Sequence, residues 1–228
     1  MNTNELWDGF EAVMRRCSPN DVDAMRPPAT DEQIAAAEKA MKVRFPAQLR
    51  AAYRRHDGVN REFAPGRYGS GLFGTMCGWW CSLADMVANW EMKISVMEGA
   101  KVDDHDFGSF PFPAPWWDNL AIRPEWWNKK WIPIGLTNTS TSYYLDLMPC
   151  AKGTKGQIIG DSGMIEAILI APSLNAWIEF VMQSFESGRF TADPETGEWI
   201  DTLWGPHTRK SFSYYGLNSS GAAPHAYD

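Results

Sequence analysis

Residues 30–58 read TDEQIAAAEKAMKVRFPAQLRAAYRRHDG and predict two helices joined at a corner. Thr30 followed three residues later by Gln33 forms a capping box, which marks the start of the first helix. Phe45-Pro46 ends that helix, and the proline suits the first position of the second because its fixed φ is helical. His56-Asp57-Gly58 then predicts a glycine C-cap. The apolar residues of both helices recur at helical spacing: Ile34, Ala37, Met41, Leu49, Ala52 and Tyr53.

Three further helices are predicted on either side of this stretch. Residues 5–17 carry an apolar stripe, and Ser18-Pro19-Asn20 breaks the pattern. Residues 82–97 form the second of these helices, with the serine at its start as the N-cap. The last helix begins at Pro172-Ser173 and stops at Gly188. Its predicted buried stripe is Leu174, Trp177, Val181 and Phe185.

Aromatic and β-branched residues predict strands in the second half of the chain. Residues 131–134 and 142–147 are flanked by turn formers and are interpreted as a pair of strands. Residues 157–159 continue the sheet after a glycine turn over residues 152–156. Together the helices and strands predict an α+β fold.

Residues 99–130 show neither helical nor strand periodicity and are predicted to be a long surface loop. The loop holds an acidic cluster, a proline-aromatic run over residues 110–115 and two tryptophan pairs. Residues 204–228 are polar and contain glycine, so we expect a weakly ordered tail. The length of 228 residues suits one large domain, which we assign to residues 1–203.

The charge balance disfavours several classes of partner. With 28 acidic and 21 basic residues the net charge is -7, a field that repels nucleic acid and anionic lipid and attracts basic proteins. The sequence holds neither a signal peptide nor the roughly 18 apolar residues of a membrane span. Its 4 scattered cysteines fit reduced thiols. We therefore expect a cytoplasmic protein that binds neither nucleic acid nor membrane.

No motif in the sequence predicts a catalytic, metal or cofactor site. Residues 69–74 match a dinucleotide fingerprint but lack the flanking strand and helix, so a turn is favoured. Cys77 and Cys81 with His56 or His105 could be drawn as a metal site, but their spacing is unusual for zinc and core thiols are favoured. We expect His56 instead to interact with carbonyls at the end of its helix. The chain is therefore not expected to be an enzyme or to need a cofactor.

A partner-binding surface is predicted in the loop. The 12 tryptophans exceed the usual need of a core, and tryptophan is favoured at the centres of interfaces. Asp103, Asp104 and Asp106 could also be calcium ligands or a general acid and base, but the EF-hand pattern is absent and a solvated acidic loop is favoured. The predicted contact residues are Asp103, Asp104, Asp106, Trp116, Trp117, Asp118, Glu125, Trp126 and Trp127.

Three blocks of the sequence together resemble the Smi/Knr branch of the SUKH superfamily. They are Ala29-Thr30-Asp31-Glu32-Gln33-Ile34 with Phe45-Pro46 and His56-Asp57-Gly58; Trp131-Ile132-Pro133-Ile134 with Gly156-Gln157-Ile158-Ile159; and Ser173, Trp177 and Gly197-Glu198-Trp199. The order and spacing of these blocks cover residues 30–199. Residues 136–140 depart from the family, which usually carries an acidic residue and a Gly-Asn step there.

The resemblance implies an α+β fold with helices packed around a central, mostly antiparallel sheet, no cofactor, and a role as a protein-binding module. The branch includes bacterial toxin-immunity proteins and fungal cell-wall regulators. We therefore expect an immunity protein that binds and neutralises a cognate bacterial toxin or secreted effector domain, and a basic partner fits the charge best. The alternative is a regulatory scaffold in cell-wall synthesis or signalling.

Overall fold

The computed structural model describes residues 3–60, 78–100, 121–137, 142–161, 167–193 and 199–202. Within these ranges the helices are α1 (Thr3–Cys17), α2 (Pro19–Ala24), α3 (Asp31–Met41), α4 (Ala47–Arg55), α5 (Leu83–Ala100) and α6 (Leu174–Glu186). The strands are β1 (Gly78–Trp80), β2 (Trp131–Thr137), β3 (Ser142–Asp146), β4 (Gln157–Asp161), β5 (Ala167–Ala171), β6 (Phe190–Ala192) and β7 (Trp199–Asp201). The α+β class is confirmed.

The central sheet contains five strands in the order β1-β2-β3-β4-β5, and every neighbouring pair is antiparallel. The predicted pairing of β2 with β3 is confirmed, with Trp131 opposite Asp146. The third predicted strand, β4, pairs with β3 as expected. The edge strand β5 was not predicted from the sequence. A separate two-stranded sheet joins β6 to β7.

Both faces of the central sheet are covered. All five residues of β3 and all five of β4 are buried, although their side chains alternate between the two faces. Helix α5 packs against β2 and α3, whereas α6 packs against β4, β5 and α1. None of the helices in the described residues combines the length and apolarity that a bilayer crossing needs.

Tryptophan fills much of the core. Trp7 of α1 stacks on Trp80 of β1 at 5.4 Å between ring centroids. The Trp80 indole donates to the Tyr53 hydroxyl, which in turn donates to the Cys81 carbonyl at 2.8 Å. Of the nine tryptophans that the structure describes, only Trp126 is not buried. In the described chain, the excess of tryptophan is thus used for packing.

Several local predictions at helix ends are confirmed. Thr30 and Gln33 form the reciprocal capping box, with the Gln33 amide 3.2 Å from the threonine hydroxyl. The Ser82 hydroxyl accepts from the Asp85 amide at the start of α5. Ser173 caps α6 in the same way, and Gly188 follows the helix at a φ of 73°. Each serine or threonine cap bonds to an amide three residues along the chain, so its formation does not depend on the rest of the fold.

The break predicted at Ser18-Pro19-Asn20 is confirmed, because α1 ends at Cys17, and a second short helix, α2, begins at Pro19. Two other predictions near helix ends are wrong. Pro46 precedes α4 as its N-cap at a ψ of 156°, so the helix starts at Ala47. Gly58 is not the C-cap, because α4 already ends at Arg55 and His56 is extended. The glycine has a φ of 69°, and a Cβ there would overlap the Cys81 carbonyl.

The predicted loop over residues 99–130 is shorter at its start, since α5 continues to Ala100. Its described part, residues 121–130, consists of turns and bends, as expected for a loop. Residues 101–120 lie outside the described residues. So do residues 203–228, which include the predicted tail over 204–228.

Candidate protein-binding surface

The predicted contact residues divide into two groups. Asp103, Asp104, Asp106, Trp116, Trp117 and Asp118 lie outside the described residues. Glu125, Trp126 and Trp127 lie in the described segment that leads from residue 121 into β2. We call residues 121–130 the aromatic segment.

Trp127 belongs to the core. Its side chain is 2% exposed and meets the Trp90 ring of α5 edge to face, with 6.2 Å between ring centroids. The Trp90 indole donates to the Lys129 carbonyl at 3.0 Å. In this conformation Trp127 holds the aromatic segment on α5 and has no surface for a partner.

Trp126 is partly exposed and lies over a buried lysine. The Lys93 ammonium is 4.7 Å from the centre of the Trp126 ring, within the range of a cation–π interaction. Lys93 is only 7% exposed, and its ammonium lies 3.8 Å from a carboxylate oxygen of Asp161. The charge of this α5 lysine is therefore compensated inside the protein and does not contribute to the surface.

Asp161 is the polar centre beneath α5. Its carboxylate accepts from the Tyr144 hydroxyl at 2.9 Å and from the Ser142 amide at 3.1 Å. Burial, followed by the adjacent Asp161 charge, raises the pKa of Tyr144 well above its ordinary value, so the phenol stays protonated and donates. A buried carboxylate with these partners fixes how α5 and the aromatic segment sit on the sheet.

Glu125 is the partly exposed acid of the aromatic segment. It accepts a hydrogen bond from the Asn128 side chain, and one carboxylate oxygen lies 3.7 Å from Arg123. Arg123 also donates to the Met148 carbonyl at 2.9 Å. Glu125 remains available at the surface, but it is held by its neighbours along the chain.

A close backbone approach anchors the start of the aromatic segment. The Ala121 carbonyl accepts from the Cys150 amide at 3.0 Å and from the Gln157 side chain at 3.1 Å. A Cβ at Gly153 would overlap this same carbonyl, so glycine is required for the contact. The segment is thus joined to the turn between β3 and β4 as well as to α5.

The outer face of α5 exposes an apolar stripe. Met92 is 47% exposed and Val96 is 41% exposed, one helical turn apart. Ala84 and Ala88 extend the same row at four-residue spacing, and both are exposed. We call these four residues the α5 stripe. The sequence alone does not single out this row, because apolar residues of α5 also occur on its buried side.

Acidic side chains accompany the α5 stripe. Glu91 and Glu98 are exposed on the same helix, whereas Lys93 is buried. Asp85 is occupied at the start of the helix, where its carboxylate accepts from Ser82. The exposed charge of α5 is therefore negative, next to an apolar row.

The cysteines and histidines that could be drawn as a metal site from the sequence do not form one in the described residues. Cys81 is buried and Cys77 and His105 lie outside the described residues. His56 contacts the Arg26 carbonyl at 3.1 Å and the Glu11 carboxylate at 3.0 Å, so the predicted contact with its own helix end is wrong. Among the described residues, no group of three or more histidine, cysteine or acidic side chains could hold a metal ion.

The comparisons with known proteins bear on residues 28–179. The model of the SMI1 / KNR4 family (SUKH-1) matches this range, which is 152 of the 228 residues and includes α3, the central sheet, α5 and the aromatic segment. The comparison with curated proteins found no match. The family resemblance in the helical corner and the central strands is thereby confirmed, and the chain belongs to the SMI1 / KNR4 family (SUKH-1).

Proposed function

We propose that this protein is an immunity protein, which binds a cognate bacterial toxin or secreted effector domain and neutralises it without catalysing a reaction. Membership of the SMI1 / KNR4 family fits an immunity or regulatory protein-binding role. The observation that carries the proposal is the exposed α5 stripe, with Met92 and Val96 on the outer face of a helix whose inner face, including Met86 and Trp90, is buried. A row of apolar side chains on a rigid helix is a common way to present a binding surface.

The α5 stripe is built on a rigid base. Lys93 and Trp90 hold the inner side of the helix to Asp161 and to the aromatic segment. A helix fixed in this way loses little conformational freedom when a partner binds, so more of the contact free energy appears as affinity. The partner docks Met92 and Val96 in an apolar depression of its own.

The charge of the surface specifies the partner further. Glu91 and Glu98 are exposed beside the stripe, and the whole chain has a net charge of -7. Such a field increases the association rate of a basic partner and suppresses acidic ones. The expected partner of the α5 stripe is therefore a toxin domain whose binding surface has an apolar depression bordered by lysine and arginine.

The test uses the product of the adjacent reading frame as the candidate toxin. Met92→Gln and Val96→Gln together remove the apolar contact but keep a good helix former at both positions. We expect the double variant to bind about tenfold more weakly or worse, and to lose protection of cells that express the toxin. Met148→Gln is the matched control, because Met148 is also 41% exposed but lies beyond β3.

Two outcomes distinguish a wrong function from a wrongly placed binding surface. If the wild-type protein neither binds the adjacent product nor protects cells, the immunity function is wrong. If it does both and the double variant behaves like the control, the function stands and α5 is not the surface. A melting curve for each variant excludes unfolding as the cause of lost binding.

A further inference from the structure

The corner between α3 and α4 gathers four positive side chains around one open cleft of about 520 Å³. The cations are Lys39, Lys42, Arg44 and Lys130, and the remaining lining residues are Ala35, Glu38 and Val43. We call this feature the basic cleft. It is separate from the α5 stripe in both residues and charge.

The backbone explains why these cations come together. Lys42 ends α3 in the left-handed conformation, with a φ of 53°, and its amide bonds back to carbonyls of the helix. The chain then runs away from the helix with Val43 and Phe45 buried and Arg44 exposed. Lys130 approaches from the start of β2 and donates to the Lys42 carbonyl at 3.2 Å.

The one acidic residue of the lining does not neutralise the basic cleft. Glu38 is buried, and its carboxylate accepts from the Phe45 amide at 2.6 Å. The same carboxylate also forms an ion pair with Arg50, outside the lining. The charge of Glu38 is therefore balanced by Arg50, and the four cations of the cleft remain in excess.

Arg44 differs from the other arginines of the described chain. Eight of the nine arginines that the structure describes form an ion pair with a carboxylate, and Arg44 is the exception. No described carboxylate lies within 4.0 Å of Lys39 or Lys42 either. Like charges placed together repel one another, so a cluster of this kind favours an anionic partner.

We infer that the basic cleft binds an acidic peptide segment of a partner protein, through several aspartate or glutamate side chains. The cleft is lined by seven residues, and none of them is aromatic. Single-stranded nucleic acid is held by stacking on aromatic side chains along an extended basic groove, and the lining offers neither. A few carboxylates, by contrast, match a few lysines and one arginine.

The experiment measures binding of a fluorescein-labelled octaglutamate peptide to the whole protein by anisotropy. Lys39→Gln with Arg44→Gln removes two cations at exposed positions, and Lys42 is left unchanged because of its left-handed backbone. We expect this variant to bind the peptide at least about tenfold more weakly than wild type at about 20 mM salt, where charge interactions are least screened. Lys152→Gln with Lys155→Gln is the matched control, because both lysines are exposed on the turn before β4.

Three outcomes would overturn the inference. They are no peptide binding by the wild-type protein at low salt, an equal loss in the control, and tighter binding of an oligodeoxythymidine of equal charge. The single variant Arg44→Lys should retain most of the peptide binding of the wild-type protein, because a carboxylate accepts hydrogen bonds from either cation. No toxin is present in this assay, so its result does not depend on the proposed immunity function.

Discussion

Glu38 and Arg50 join α3 to α4 across the corner, with the carboxylate of Glu38 accepting hydrogen bonds from both Nε and Nη2 of Arg50. Because Glu38 also accepts from the Phe45 amide, one carboxylate fixes both helices and the chain between them. The Glu38 side chain is almost fully buried and that of Arg50 is about three-quarters buried. The pair therefore belongs to the protein interior, where removing one partner leaves the other uncompensated.

We predict that Glu38→Gln lowers the free energy of unfolding by about 2 kcal/mol or more, because Arg50 loses its counter-charge and the Phe45 amide loses a charged acceptor. Asp23→Asn is the control, since Asp23 pairs with Arg15 and both side chains are more than half exposed. That change should cost less than about 1 kcal/mol. Urea denaturation of both variants makes the comparison, and equal effects would contradict the interior role of Glu38.

Core truncations should have larger effects. Leu49→Ala and Trp177→Ala should each lower the free energy of unfolding by about 2 to 5 kcal/mol, because both side chains are fully buried on helix faces and each change leaves a cavity. Met148→Ala, at an exposed position, should change it by no more than about 0.5 kcal/mol. The measurement is the shift of the denaturant midpoint at constant slope. A small shift for either core variant would contradict the observed packing.

Two glycines with similar backbone conformations provide a matched test of the close approach between Gly58 and Cys81. Gly58 has a φ of 69° and Gly188 a φ of 73°, so alanine is strained at both by about 1 kcal/mol. Only at Gly58 would the added Cβ also overlap the Cys81 carbonyl, whereas open space surrounds Gly188. Gly58→Ala should therefore lower the melting temperature clearly more than Gly188→Ala. Equal shifts would show that the strand edge moves freely away from residue 58.

The free energy of unfolding should depend on the ionisation of Glu11 at acidic pH. Burial works against ionisation of Glu11, but hydrogen bonds from Arg55 and His56 outweigh it and lower the pKa of the carboxyl. A group whose pKa is lower in the folded protein stabilises the fold above its unfolded pKa, and this stabilisation is lost as the pH falls through the folded value. The difference in unfolding free energy between wild type and Glu11→Gln should thus be largest near neutral pH and shrink as the pH falls below 4.5, the ordinary pKa of a glutamate carboxyl. A difference that stays constant over this range would contradict the assignment.

Local signals account for the parts of the fold that were predicted. Thr30 with Gln33, and Ser173 with Ala176, form caps whose partners are three residues apart, so neither needs the rest of the chain. The pairing of β2 with β3 follows from two apolar segments joined by a short connection, which brings them together with little loss of entropy. The edge strand β5 had no such signal, because Ala167–Ala171 is equally consistent with a helix segment.

The sequence by itself therefore determined the helical corner and the central strands, which depend on residues close together in the chain, and through them the α+β class. The family resemblance came from the order and spacing of three blocks over residues 30–199. Only the tertiary structure decided where Trp127 lies, what limits Gly58, and that Lys93 is compensated by Asp161. It also decided that Met92 and Val96 are exposed and that Lys130 joins the lysines of α3. These properties depend on which surfaces meet after the chain has folded back on itself, and contacts between distant residues leave no periodic pattern in the sequence.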